Sequence, residues 1–342
     1  MKNILVLRLS SMGDVILITP LLSFLKTQHS SHSITLVTGI DYASLFTDDP
    51  RLAAVIGIGA GEKRLPKYIL DNKWDFAVDL QNNRRSHTLL RSIDADVGRG
   101  YFDKLYWQRL ALLFFRCDTY DSRLHVARRY IHAAACNSVP DKMPPLRVFF
   151  SDNSRRMVRT KYLLPAGNTE CSFLALFPFS AWKNKEWPAE SYIEVGRYFL
   201  TKGWIPVIMG GQGDVTRAQK LESGIGGRCI SLAGRISIYE CGALLTGFSL
   251  ALGNDTGLSH LARACGVRTG IFFGPTTRHF GYFPYGDPAY KIFEVPLSCR
   301  PCHAHGGNQC LRLTHGCMRL IGPELVIKEL EELFEVEASS IP

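Results

Sequence analysis

Three short polar segments, each placed where an apolar run of strand length gives way to a helical period, carry the side chains best suited to chemistry. The first is Ser10-Ser11-Met12-Gly13-Asp14. It offers two hydroxyls, a glycine that lets the backbone approach a ligand, and a carboxylate at a helix start. That carboxylate could take a proton from an attacking hydroxyl, or it could simply cap its helix. The second is Gly253-Asn254-Asp255-Thr256-Gly257-Leu258-Ser259-His260. Here Thr256 and Gly257 would present unpaired helix-start amides, a natural seat for phosphate, while Asp255 could accept from a ribose or sugar hydroxyl. The plainer alternative makes Asp255 an N-cap and His260 a core histidine. The third, Phe177 to Pro188, contains Ser180, Lys183 and Lys185. A lysine after such a strand can neutralise a pyrophosphate, or it can lie in a solvated loop.

Weaker signals surround these. Gly210-Gly211-Gln212-Gly213-Asp214 and Phe273-Gly274-Pro275-Thr276 add turns at two more strand ends. Asp94-Ala95-Asp96 has the spacing of a divalent-cation site but lacks other support. No G-x-G-x-x-G, P-loop or G-x-S-x-G pattern occurs, which counts against dinucleotide, NTPase and nucleophile-elbow chemistry. Cys299, Cys302, Cys310 and Cys317 are dense enough to be candidate zinc ligands. Their gaps differ from a paired C-x-x-C ribbon, so a metal-free loop is the expected state and no metal is assigned.

Elements must hold these segments, and the pattern for them is clear. Strand-length runs alternate with helical periods almost throughout, which specifies an α/β chain with parallel sheets. Strands are expected at Asn3–Leu9, Ser33–Thr38, Ala53–Ile58 and Phe76–Leu80, with one helix over Val15–Thr27. After a proline-rich stretch at 137–145 the alternation restarts: strand Ser172–Phe177, helix Glu190–Lys202, strand Trp204–Met209, then strands Cys229–Leu232, Leu250–Leu252 and Thr269–Phe273. Two Rossmann-like units in tandem follow, with domains at 1–160 and 161–320. A terminal segment, 321–342, is expected to pack back toward the N-terminal domain.

At 342 residues, 46% hydrophobic and 21% charged, the composition excludes disorder. The apolar run Val15 to Leu25 is too short and too interrupted to span a bilayer, and the first residues lack signal-peptide features. A cytoplasmic location is therefore expected. The net charge of +9 favours anionic partners. Between Arg84 and Arg129, ten Lys or Arg stand against five Asp, interleaved with Tyr, Phe and Trp, a mixture suited to lipid headgroups beside acyl chains. Nucleic acid is not expected as a partner.

In this order, Ser10 to Asp14, Asp79-Leu80-Gln81 with Arg85-Ser86, Lys185-Glu186-Trp187-Pro188, Asp255 to His260, Phe273 to Thr276 and the terminal Cys317-Met318 resemble glycosyltransferase family 9, the ADP-heptose:lipopolysaccharide heptosyltransferases. The resemblance implies a GT-B architecture, two Rossmann-like domains with parallel sheets facing a central cleft, acceptor in the first and nucleotide sugar in the second. It implies metal-independent, inverting transfer from ADP-L-glycero-D-manno-heptose to Kdo-lipid A or a heptosylated lipid A core at the anionic cytoplasmic face of the inner membrane. Asp14 would be the base. Ser180, Lys183, Lys185, Asp214, Asp255, Thr256, Gly257 and His260 would hold the donor. Ser10, Ser11, Gly13, Lys63, Arg64, Gln81 and Arg85 would hold the acceptor. A related transferase using another nucleotide sugar or acceptor is the alternative.

Overall fold

A computed structural model describes residues 2–28, 30–91, 93–95, 99–120, 125–135, 139–163 and 171–335. In its first half the strands are β1 (Asn3–Arg8), β2 (Ser33–Gly39), β3 (Ala54–Ile58), β4 (Lys73–Trp74), β5 (Phe76–Asp79), β6 (Asp94–Ala95) and β7 (Arg99–Tyr101). One parallel sheet has the order β3-β2-β1-β5-β7, and β4 pairs with β6. Leu5, Val6 and Leu7 are wholly buried, as expected of a parallel strand covered on both faces. Asp96, the second carboxylate of the D-x-D pattern, lies outside the described residues.

The single helix expected over Val15–Thr27 is two, Met12–Ile16 and Thr19–Gln28. Pro20 explains the break. It has no N–H to give the carbonyl of Ile16, and its ring would collide with that carbonyl in a continuous helix.

The second half contains β8 (Phe173–Phe177), β9 (Ile205–Ile208), β10 (Ile230–Ser231), β11 (Leu250–Asn254), β12 (Arg268–Phe272) and β13 (Tyr290–Phe293). They form a parallel sheet of order β10-β9-β8-β11-β12-β13. Each sheet thus starts in its interior, winds outward one way and then crosses back, leaving a topological switch point between β1 and β5 and another between β8 and β11. Ligands of such sheets bind at the carboxyl ends of those strands.

Two compact units are present: Met1–Tyr106 with Asp121–Phe150, and Trp107–Tyr120 with Ser151–Pro342. The break near 150 precedes the expected boundary at 160, because the helix Asp152–Tyr162 is tied to the second unit. Lys161 Nζ reaches Glu240 at 2.9 Å, and the Tyr239 hydroxyl lies 2.8 Å from Ser154 Oγ. The terminal helix Pro323–Glu335 belongs to the second unit as well. It lies on the second unit, where Tyr198 donates to Glu331 and Phe334 meets the Trp204 ring edge-on at 4.8 Å. Its apolar face, Val326, Leu330 and Leu333, completes that unit's core.

Packing in this core fixes the loops that matter. Trp187 stacks on Phe272 with centroids 4.4 Å apart and donates from Nε1 to the Ile321 carbonyl. A Cβ on Gly253 would lie 2.8 Å from Phe177 and from Ser259 Oγ, so glycine lets the following helix approach the strand. Asn254, fully buried, accepts from the Trp187 amide at 3.0 Å and donates to the Pro178 carbonyl at 3.0 Å, joining the end of β11 to the loop after β8. Asn254→Ala would leave the buried Trp187 N–H without a partner. Chemical denaturation should show a loss of about 2 kcal/mol, and a loss too small to measure would mean that Asn254 does not hold the two loops together.

Candidate active site

The first unit gathers one group of residues at the carboxyl edge of its sheet. Asp14 occupies the short helix Met12–Ile16, directly after β1, and its side chain is 13% exposed. Oδ2 lies 2.8 Å from the Arg8 guanidinium and accepts from the Ser11 hydroxyl at 2.9 Å and the Ser11 amide at 3.3 Å. Oδ1 accepts from the Tyr130 hydroxyl at 3.1 Å. The carboxylate therefore does cap its helix start, and it also forms a buried ion pair. Burial pushes its pKa up, but Arg8 and the bonds from Ser11 and Tyr130 outweigh this and hold it below the ordinary aspartate value of 3.8.

The loop after β5 supports this arrangement from the other side of the switch point. Asp79, 1% exposed, accepts from the amides of Gln81 and Asn82 at 2.9 and 2.7 Å and from the Ser86 hydroxyl at 2.6 Å. That bends the chain so that Gln81 Oε1 receives the amides of Leu9 and Ser10, each at 3.1 Å. Gln81 thus positions the Ser10–Asp14 loop. Arg85 donates to the Gly59 carbonyl, in the loop after β3 that also carries the exposed Lys63 and Arg64. Ser10, Ser11, Gly13, Lys63, Arg64, Gln81 and Arg85 therefore share one sheet edge.

The second unit repeats the scheme. Lys185 follows β8 and Asp255 follows β11. The Lys185 ammonium reaches Asp255 Oδ2 at 2.6 Å and its carbonyl at 3.0 Å, with the two side chains 10% and 12% exposed. Thr276 adds a hydroxyl at 3.2 Å. Burial again works against the charged form of Asp255, while Lys185, His260 and Thr276 more than compensate and lower its pKa. Of the two lysines in this loop, Lys183 is exposed and Lys185 is buried in the ion pair. Beyond Asp255, the helix Gly257–Ala264 begins at Thr256, whose hydroxyl is buried, makes no capping bond and has no partner among the described residues. Its first-turn amides thus point at the switch point without the usual side-chain acceptor, the arrangement that binds phosphate.

Asp214 and Ser180 are more local. Asp214 Oδ2 accepts from the Gly211 amide at 3.0 Å, and Ser180 Oγ accepts from the Trp182 amide at 3.1 Å. The four clustered cysteines are free thiols, and the described residues contain no group of three or more His, Cys, Asp or Glu arranged to hold a metal.

Sequence reasoning missed several partners. Arg8 had a readable signal, since a charge inside a strand buried on both faces needs a counterion. Tyr130, 116 residues from Asp14, had none. Arg300 had none either. Its guanidinium donates to the carbonyls of Phe273 at 2.8 Å and Thr276 at 3.2 Å, fixing the turn that presents Thr276.

Removing Arg8 should let burial govern Asp14. In Arg8→Met, the Asp14 carboxyl titration followed by carbon NMR should rise by about one unit or more. An unmoved titration would mean that the ion pair does not set its acidity.

Comparison with known proteins shows the family and the fold. Residues 63–309 match the family described as glycosyltransferase family 9 (heptosyltransferase). Lipooligosaccharide heptosyltransferase 2 of Haemophilus influenzae is 23% identical over 97% of this chain and 99% of its own. The structure of E. coli ADP-heptose lps heptosyltransferase II superposes with a TM-score of 0.78 at 20% identity, over 99% of this chain and all of that one. An E. coli heptosyltransferase with ADP-2-deoxy-2-fluoro heptose gives 0.69 at 18% identity, covering 96% and 99%. The two Rossmann units are those of the GT-B class, and the chain belongs to glycosyltransferase family 9, the heptosyltransferases.

Proposed function

We propose that this chain moves a heptose from ADP-L-glycero-D-manno-heptose to the inner core, Kdo or heptose, of lipid A, with inversion and without a metal. The observation that carries the reading is the Asp14 carboxylate, held at the first switch point by Arg8, Ser11 and Tyr130. Asp14 removes the proton from an acceptor hydroxyl as that oxygen attacks the anomeric carbon and ADP departs. Its lowered pKa makes it a weak base toward a free hydroxyl. The hydroxyl, however, becomes far more acidic as its bond to carbon forms, so a fixed, ionised acceptor of the proton suffices.

The second unit takes the donor. The third donor of the Lys185 ammonium, the Thr256 hydroxyl and the amides of the Gly257 helix offset the charge that develops on the diphosphate. Asp255 and His260 order this seat. Lys63, Arg64 and Arg85 meet acceptor anions from the first sheet's edge. The acceptor is lipid-anchored, so the protein works at the cytoplasmic face of the inner membrane. No helix among the described residues is long and apolar enough to cross a membrane.

A mass-resolved assay tests the reading: ADP-heptose is offered with Kdo-lipid A and, separately, with its mono-heptosylated product. One added heptose on either supports it and identifies the step. No transfer to either, with UDP or GDP protecting the fold from heating better than ADP, would replace it with a transferase of another nucleotide sugar. Asp14→Asn should lower kcat by about 100-fold or more while ADP still stabilises the fold. In the parent protein, kcat/KM should hold as pH falls through the ordinary aspartate range and drop only below 3.8, since a depressed carboxyl stays ionised there. A limb centred above pH 5 would assign the base elsewhere.

A further inference from the structure

The helix Tyr106–Phe115 turns its apolar side outward. At 3.6 residues per turn, Tyr106, Trp107, Leu110, Ala111, Phe114 and Phe115 fall on one half of the cylinder, and none is charged. Tyr106, Trp107, Phe114 and Phe115 are 61%, 77%, 73% and 81% exposed, whereas Leu112 alone is buried. A surface helix ordinarily does the reverse. Fraying does not explain it, because two arginines fasten the helix. Arg109 lies 3.4 Å from His305 Nε2 and over the Phe280 ring, and Arg116 donates to the carbonyls of Pro301 and Cys299.

Downstream of the backbone that Arg116 grips at Cys299 and Pro301, Leu311, Leu313 and Leu320 are exposed as well, interleaved with exposed Arg312 and Arg319. Aromatic and leucine side chains standing in water beside cationic ones match a surface that is apolar below and anionic above. A second copy of the chain is the poorer occupant, since both copies would carry the same +9 charge.

We propose that the helix Tyr106–Phe115, with the Leu311–Leu320 segment, docks this protein on an anionic lipid bilayer. Trp107, Phe114 and Phe115 enter the headgroup layer, where amphipathic rings are favoured, while Arg312 and Arg319 meet lipid phosphates. This rests on the reading that the acceptor is carried by a membrane.

Flotation of the full chain with phosphatidylglycerol/phosphatidylethanolamine vesicles, and with phosphatidylcholine vesicles, tests it. The parent protein should partition at least tenfold better onto the anionic vesicles. The triple variant Trp107→Ser, Phe114→Ser, Phe115→Ser should lose at least tenfold of that binding, with ADP still raising its melting temperature. Arg312→Gln with Arg319→Gln should weaken binding and flatten its salt dependence. Equal flotation of parent and triple variant overturns the proposal. So does a parent that does not float, or one that is a dimer the triple variant makes monomeric. Heptose transfer to a deacylated, soluble acceptor separates the two readings. It should be unchanged in the triple variant, and its failure in the parent would count against the enzymatic reading and leave the vesicle result standing.

Discussion

A charge buried in a parallel α/β sheet has to be paired, and this chain places one such pair at each switch point: Arg8 with Asp14 in the first unit, Lys185 with Asp255 in the second. The cation comes from the first strand or the loop directly after it, and the carboxylate stands at or just before a helix start. Removing either partner would strand the other in a low-dielectric site, a loss of roughly 3–5 kcal/mol for pairs buried this deeply. The surrounding loops are organised to prevent that. Asp79 and Gln81 hold the Ser10–Asp14 loop, while Asn254, Thr276 and Arg300 hold the ground around Asp255.

Pairing has a chemical consequence as well as a structural one. Both carboxylates are kept ionised against the pull of burial, so each contributes stability at neutral pH that is lost as the solution is acidified below the ordinary aspartate range. In the first unit, under the proposed reaction, this would give a base that stays ionised but weak, which suits a proton that becomes labile only as the new bond forms. In the second it sets a lysine beside a helix amino end, two positive features converging where, on the proposed reading, a diphosphate would lie.

Much of this was legible in the sequence, and what was not has physical reasons. Alternating runs such as Asn3–Leu9 and Ser172–Phe177 located the main strands to within a residue or two, because parallel strands covered on both faces are continuously apolar. Short β4, β6 and β7, and the edge strand β13, lack such runs and went unread. Positions after strand ends pointed to Asp14, Lys185 and Asp255. Their partners were harder, since Tyr130 and Arg300 come from elements whose approach only the fold decides. The split of Val15–Thr27 followed from Pro20, a local rule. The placement of the helices Tyr106–Phe115 and Pro323–Glu335 on the second unit followed from side-chain docking, which no local rule supplies.

On the proposed reading, the two switch points, with their buried pairs, are the reactive ground of the molecule. The most direct measurement is a crystal structure of the chain with ADP. The diphosphate should lie at the amino end of the helix Gly257–Ala264, within hydrogen-bond reach of its first amides and of Lys185 or the Thr256 hydroxyl. A nucleotide seated anywhere other than the carboxyl edge between β8 and β11 would contradict it.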